Sequence, residues 1–575
     1  MTAKLRLSSS RSLWSLLPGG IILGGVLLTL WIQTFTSNGV VFSGDGGLKA
    51  LLAQQMAQQL SAGDWPLEMA LRLSAADWVE TLWQQGLYPF QPPFVYEVGA
   101  KHFITFPFTF PLVSAPFYAL FGDRGLYIIP LVALWSIWLR FWQIGHRAGW
   151  DSGALCLGLI SLIFASPLTL YGGMYWEHTL AVALAFWGVS ILLFPPGVTL
   201  TRRQCLVSGF LIGLAVWFRP EFLCLVAVVG LMAAVGWAFP RWRMSPPFTL
   251  NEALMLIGAM AGTVGVFFGL NTVIYSHPLG IHAIQIVEES TLSDQITQAR
   301  DGYRQMWVSL RRYFPVVVFV GSAALASLKL RKNRPTAARS VETVGTQTIG
   351  AQTVGSTAQP PNLAPVRLAL ILSLLFALSV PLIVPPGAGG KQWGPRFYLI
   401  LVPLLSVVLA EQMQVGFFRG WARRVALVGA AAVLILGIQL NTVDGAFSVY
   451  KDDQTQSISL PGNYAPVAPA IAELQQQPLP WVAMSHEFVA QQLWSALPDK
   501  TFFRTETIAE VKQLAAALVE QSESEFLYVC YPHRDCPTPE TPVSELGLPN
   551  SNRSLRFVPL GTYGKYPLYR VEIAS

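Results

Sequence analysis

The chain has 575 residues, 53% of them hydrophobic and only 12% charged, where a soluble domain carries roughly 25% charged residues. With a mean hydropathy of +0.46, it has too little charge to cover a soluble surface, which excludes an ordinary cytosolic enzyme and leaves a polytopic membrane protein. The net charge of +6 is scattered, so nucleic acid is not an expected partner, and the five cysteines show no metal-ligand spacing.

Lys4, Arg6 and Arg11 precede an apolar stretch from Leu13 to Phe35. It is too long for a signal peptide and lacks a small-residue cleavage pattern, so it reads as a first membrane helix with a cytoplasmic N-terminus. The outer loop that follows, residues 36–124, is far longer than a turn. Within it, Leu48–Leu60 and Leu67–Gln84 show helical periodicity with one apolar face, which predicts helices lying along the membrane surface. Near its start stands Ser43-Gly44-Asp45-Gly46-Gly47-Leu48-Lys49. Three glycines around one carboxylate allow a sharp turn and close approach of a substrate. Asp45 is equally a favoured helix N-cap, but it is the first acid placed to meet a lipid-borne substrate. Glu97, Lys101 and His102 follow late in the loop, and Phe106–Phe121 is Pro-rich and short, more a re-entrant or surface helix than a span.

Further apolar runs lie at 125–144, 153–174, 179–194, 204–218, 221–239, 253–275, 314–330, 366–384, 397–413 and 424–440. With the first helix they make about eleven spans. This threading puts Arg147, Arg202/Arg203, Arg241/Arg243, Lys329–Arg334 and Arg419/Arg423/Arg424 on the cytoplasmic side, as the positive-inside rule requires. Charges on the outer side are scarce and therefore informative. Tyr171-Gly172-Gly173-Met174-Tyr175-Trp176-Glu177-His178 forms an outer turn whose aromatics suit a membrane belt, while Glu177 and His178 suit a sugar hydroxyl, a phosphate or a metal. Arg219-Pro220-Glu221 breaks an apolar run, where an Arg must pair or line a cavity; Glu221 is its nearest partner in sequence. Lys391-Gln392-Trp393-Gly394-Pro395-Arg396 puts two cations on a rigid turn at headgroup level, an arrangement for a phosphate or for ordinary headgroup contact. The loop Ser276–Arg312, with His277, His282, Glu288 and Glu289, is long enough to act as a lid.

Two regions read as lying outside the membrane. Residues 331–365 are Thr/Gln/Gly/Pro-rich, with the near-repeat Thr-Val-Gly-Thr-Gln-Thr-Ile-Gly-Ala-Gln-Thr-Val-Gly, and predict a disordered cytoplasmic loop. Residues 443–575 carry a net charge of −6 and alternate strand and helix patterns: Trp481–Met484, Phe502–Arg504 and Phe526–Tyr531 as strands, Ile508–Val519 as a helix. They predict a small extracytoplasmic α/β domain. Cys530 and Cys536 lie there, paired or free.

This arrangement resembles the GT-C superfamily of glycosyltransferases, which use polyprenyl-phosphate-linked sugars. The resemblance rests on the first helix, the long outer loop and the Asp just beyond that helix. It also rests on Phe121-Gly122-Asp123-Arg124-Gly125, on the short run ending at Arg219, and on Gly394-Pro395-Arg396-Phe397-Tyr398 followed by Pro403. It covers residues 13–440, and the Ser-Gly-Asp-Gly-Gly-Leu-Lys stretch with the Tyr-Trp-Glu-His turn most resembles a bacterial integral-membrane branch. It implies an α-helical polytopic fold, a lipid-linked donor, a glycan or lipid-linked acceptor and no nucleotide cofactor. Asp45 is followed by glycine, not by the second acid of the protein mannosyltransferases, which leaves dependence on a divalent cation open. A sugar–phosphate donor brings its own leaving group, so the protein has to supply a base for the acceptor and cations for the phosphate. Asp45 is the candidate base. Arg396, Lys391 and Arg219 are candidate phosphate ligands, with Glu177, His178 and His102 as further substrate contacts. A secondary transporter or lipid flippase would also use many spans and a broken helix at Arg219-Pro220, but its usual internal repeat is not visible. A polysaccharide ligase would depend on a late outer loop such as Ser276–Arg312.

Overall fold

The computed structural model describes residues 16–36, 38–41, 43–73, 76–195, 197, 200–239, 248–281, 292–332, 364–384, 393–414, 418, 420–447, 467–532, 545–547 and 553–574. Its helices, in chain order, are α1 Leu17–Thr34, α2 Gly44–Ala62, α3 Asp77–Leu82, α4 Thr109–Phe121, α5 Ile128–Arg147, α6 Ser152–Ile163, α7 Leu168–Gly172, α8 His178–Leu193, α9 Arg202–Phe218 and α10 Phe222–Ala238. Then come α11 Leu250–Tyr275, α12 Leu292–Tyr313, α13 Val316–Lys332, α14 Ala364–Ser379, α15 Leu401–Met413, α16 Trp421–Ile438, α17 Ala468–Gln476, α18 Glu487–Gln492 and α19 Ile508–Glu520. The strands are β1 Val95–Val98, β2 Lys101–Ile104, β3 Trp481–Met484, β4 Thr501–Arg504, β5 Glu525–Val529, β6 Glu545–Gly547, β7 Ser554–Tyr563 and β8 Tyr566–Ala574.

Every apolar run read from the sequence is helical, but the run 153–174, read as one span, breaks at Phe164–Pro167 into α6 and α7. Among the described residues, five stretches are long and apolar enough to cross a membrane: Leu17–Thr34, Thr109–Arg147, Leu250–Tyr275, Pro365–Leu382 and Trp421–Ala446. A sixth arises if Ala299–Tyr313 and Val316–Ala326, bent by 96°, count as one. The helices α6, α8, α10 and α15 are apolar but shorter, so by length alone five or six spans stand against the eleven expected. The predicted cytoplasmic loop lies, from 333 to 363, outside the described residues.

The outer loop departs from the sequence reading in one place. α2 is the expected helix, and α4 packs along it before Gly122, with φ +60°, turns the chain into α5. Leu67–Gln84 is not a second continuous helix. Gln55 donates to the carbonyl of Ala70 at 2.8 Å and accepts from the Arg72 N–H at 2.8 Å, while Gln59 accepts from the Glu68 N–H at 2.8 Å. Two glutamines of α2 thus hold residues 68–72 extended, and Leu71 pairs with His102 of β2 in a short bridge. Helical periodicity there survives only in α3, which runs into a single wide turn at Trp83–Leu87.

The C-terminal residues form a six-stranded sheet of order β4-β3-β5-β8-β7-β6, parallel between β3, β4 and β5 and antiparallel from β8 onward. The expected strands and helix appear as β3, β4, β5 and α19. One side of this unit shares a core with the helical body, through residues such as Val482, Met484, Val489 and Trp494. On the other side, Val79, Leu82 and Leu87 of the outer loop complete a core with Phe503, Leu514 and Phe526. The Trp83 indole donates to the carbonyl of Phe502 at 3.1 Å, and Arg504 bonds to Gln91 and to the carbonyl of Gly86. Cys530 is disulfide-bonded, and Cys536 lies outside the described residues.

Candidate active site

Four chain segments bring together the charges that the threading assigns to the outer side. The first is the N-terminus of α2, where the cap is Ser43: its hydroxyl accepts from the Gly46 N–H at 3.3 Å and from the Trp176 indole at 3.2 Å. Asp45 is therefore not the cap but a first-turn residue, with its carboxylate in the favourable positive field of the helix start. Lys49 stands one turn further on the same face. The second segment is the Tyr-Trp-Glu-His turn, which leaves Glu177 at the N-cap position of α8 and His178 as its first residue. The third is the end of α9: Pro220 disfavours helical geometry at the residue before it, so Arg219 is extended (φ −142°, ψ 107°) and leaves the helix axis. The fourth is Gly394-Pro395-Arg396, where Gly394 has φ +80° and the preceding Trp393 is anchored by its indole on Asn441 at 3.0 Å.

These segments build an alternating chain of charge. Lys49 Nζ lies 2.6 Å from Glu177 Oε2, and Arg219 Nη1 lies 3.0 Å from Glu177 Oε1. Arg219 Nε also bonds to Glu221 at 2.8 Å. All four side chains are 9% exposed or less. Burial alone would raise Glu177, but Lys49 and Arg219 hold it well below the usual carboxylate range, at about 2. Lys49 also sits over the Phe106 ring at 4.2 Å. Each of these groups spends its charge on a neighbour.

The last pair is different. Arg396 Nη1 and Asp45 Oδ2 are 3.7 Å apart, and their side chains are 19% and 18% exposed. The Arg396 Nε is buried without a hydrogen-bond partner. Phe397 presents its ring to both guanidinium groups, 4.8 Å from Arg396 and 5.4 Å from Arg219. Beside them His178 is buried against Tyr171 and Trp176, and both of its ring nitrogens, like the Tyr171 hydroxyl, lack partners. The arrangement offers one reachable carboxylate, one under-used guanidinium and unpaired polar groups, all braced by a saturated ion-pair scaffold. Phe106 and Pro220 also line a narrow apolar cleft of about 30 Å³, walled by Val216, Phe267 and Phe268.

Of the sequence-predicted residues, Asp45, Glu177, His178, Arg219 and Arg396 converge. Lys391 lies outside the described residues. His102 is engaged elsewhere, stacked on Tyr88 at 3.9 Å with its carbonyl accepting from Leu71. Lys49 and Phe397 were missed as site residues. Lys49 was legible, standing four places after Asp45 in an otherwise uncharged helix.

Two of the glycines have a use that the sequence reading did not give them. A methyl group at Gly44 would lie 2.2 Å from Oε1 of Gln491, and one at Gly47 would lie 1.7 Å from the Gln491 carbonyl oxygen. Gly44 and Gly47 make room for α18 of the C-terminal unit. A divalent cation finds no ready set of ligands. Asp45, Glu177 and Glu221 each face a cation, and among the described residues no group of three His, Cys, Asp or Glu is placed to hold a metal.

No family model matches the chain, and no curated protein matches it. Among solved structures it is similar to ArnT from Cupriavidus metallidurans bound to undecaprenyl phosphate, with a TM-score of 0.51 at 11% identity, covering 98% of both chains. The apo state of that protein gives the same TM-score and identity over 97% of both chains. The oligosaccharyltransferase AglB from Archaeoglobus fulgidus, in complex with an inhibitory peptide and a dolichol-phosphate, scores 0.45 at 11% identity over 89% of this chain and 69% of that one. The likeness to ArnT establishes the fold: the helical body is as the resemblance implied, and the smaller C-terminal sheet unit is as the strand–helix alternation predicted.

Proposed function

We propose that this chain is an integral-membrane glycosyltransferase that moves a sugar from a polyprenyl-phosphate-linked donor to an acceptor hydroxyl, inverting the anomeric centre. The observation that carries this reading is the Asp45–Arg396 pair, a partly exposed carboxylate and guanidinium at the tip of α2, in a cluster whose other charges are satisfied. In this reading Asp45 accepts the proton of the acceptor hydroxyl as its oxygen attacks the anomeric carbon. The bond from that carbon to the phosphate oxygen breaks, and the electron pair leaves on the lipid phosphate. Arg396 receives the charge that develops there, with His178 and Tyr171 as further hydrogen-bonding groups and Lys391 as a second cation. Glu177 and Arg219 act as the scaffold that fixes this geometry. The apolar wall of Phe106, Val216, Phe267 and Phe268 suits contact with an isoprenoid chain.

The same reading places the N-terminus in the cytoplasm, the helices in the inner membrane, the 331–365 loop inside and the sheet unit outside. Residues 1–442 then form the membrane domain and 443–575 the extracytoplasmic one, with Trp78, Val79, Leu82, Trp83 and Leu87 of the outer loop serving the latter's core. The test is transfer of labelled sugar from polyprenyl-phosphate donors by the purified chain, with the linkage of the product read by NMR. Transfer that depends on Asp45 supports the reading. Absence of transfer from every such donor, with energised uptake of a solute or lipid instead, would replace it by a transporter.

A further inference from the structure

The first turn of α2, Gly44-Asp45-Gly46-Gly47, is an improbable place for a rigid carboxylate. Three of its four residues are glycine, which weakens a helix wherever it stands. Ser43 secures the turn from one side only. The other side is filled by Gln491, at the end of α18: its amide oxygen lies against Gly44 and its backbone carbonyl against Gly47. Gln491 is completely buried, and neither atom of its amide has a hydrogen-bond partner. An apolar residue would avoid that cost, since buried polar groups are almost always paired. Trp494, two residues past α18, is also buried and lies against the Gly47 position at 3.2 Å.

We propose that Gln491 is a positioning residue for Asp45: the C-terminal unit presses it into the notch of Gly44 and Gly47 and so fixes the turn that carries the carboxylate. The proposal rests on the reading of Asp45 as the base. The sheet unit is then part of the active site, although none of its side chains is needed on the reacting atoms. Glycine at 44 and 47 is the shape the notch requires.

A double-mutant cycle tests this in the full-length purified chain. Gln491→Ala lowers kcat by about 10–100-fold, as a small misplacement of a catalytic group does, and leaves the donor KM within about twofold. In the Asp45→Asn background the same substitution costs nothing further, because a residue acting through Asp45 has nothing left to position. Amide exchange of residues 43–48 quickens in Gln491→Ala, whereas exchange in α5 stays unchanged. Gln491→Asn, which keeps the amide and is shorter by one methylene, gives an intermediate kcat and covers the case in which the alanine variant folds poorly. Full additivity of the two substitutions, or wild-type kcat in both Gln491 variants, would overturn the positioning role. Wild-type turnover in Asp45→Asn alone would overturn the base reading and not this packing, since the quickened exchange would persist.

Discussion

At the scale of single residues, the six charges of the cluster fall into two classes that respond differently to substitution. Asp45→Asn keeps size and first-turn position, because Ser43 and not Asp45 caps the helix. It removes the proton acceptor, so turnover falls by about 10²–10⁴-fold with the detergent melting curve unchanged; full turnover would end the catalytic assignment. Arg396→Ala raises the donor KM or lowers kcat by the loss of a charge-assisted bond, about 1.5–3 kcal/mol, and leaves acceptor KM alone. Glu177→Gln behaves as a structural change. It strips the shared counter-charge from Lys49 and Arg219, both buried, and breaking such a pair costs about 3–5 kcal/mol. A large drop in melting temperature is therefore expected, and a stable, inactive Glu177→Gln protein would return Glu177 to the substrate.

At the scale of elements, what could be read in the sequence was what local pattern decides. Hydropathy located the helical runs, because an apolar stretch in lipid has to satisfy its backbone internally. The β3, β4, β5 and α19 segments were visible from alternation and periodicity. Residues 67–73 were misread because their conformation is set by Gln55 and Gln59, side chains of another helix whose bonds leave no periodic trace. The glycines around Asp45 were seen, but their reason was not. It lies in Gln491, far along the chain, and no spacing rule connects the two. Gly47→Ala separates the explanations: a collision with the Gln491 carbonyl should loosen the docking of the C-terminal unit, seen as protease cleavage near residue 467. A glycine kept for substrate approach would leave that docking intact.

At the scale of the whole molecule, the proposed topology predicts that protease outside intact spheroplasts cuts the C-terminal unit and spares residues 331–365; the reverse would invert the threading. The junction between outer loop and sheet unit should also respond to pH. Glu487 is buried there, accepting from the Gln91 N–H at 3.1 Å, with Arg504 and Glu506 as its charged neighbours. Burial pushes its carboxyl up to about 7 from an ordinary value of 4.5. An acid whose folded value is raised holds its proton more tightly in the folded state. Glu487 thus contributes a loss of stability at the junction as pH rises from about 4.5 to about 7. Glu487→Gln should flatten that dependence in melting curves taken across the window; an unchanged slope would assign it to other groups.

The outer-loop wall of the sheet unit has a consequence in time. Trp83 and the strand residue that accepts its indole hydrogen, Phe502, are 419 positions apart. At roughly 5–20 residues per second of synthesis, the loop is made roughly 20–80 s before its partner exists. For that interval Val79, Leu82 and Leu87 have nothing to cover them. The strand that meets the first loop, β4, is made late, so a chain halted before it leaves Val79, Leu82 and Leu87 without their partners. Chains truncated before β4 are therefore expected to aggregate more than the full chain, measured by sedimentation of detergent extracts.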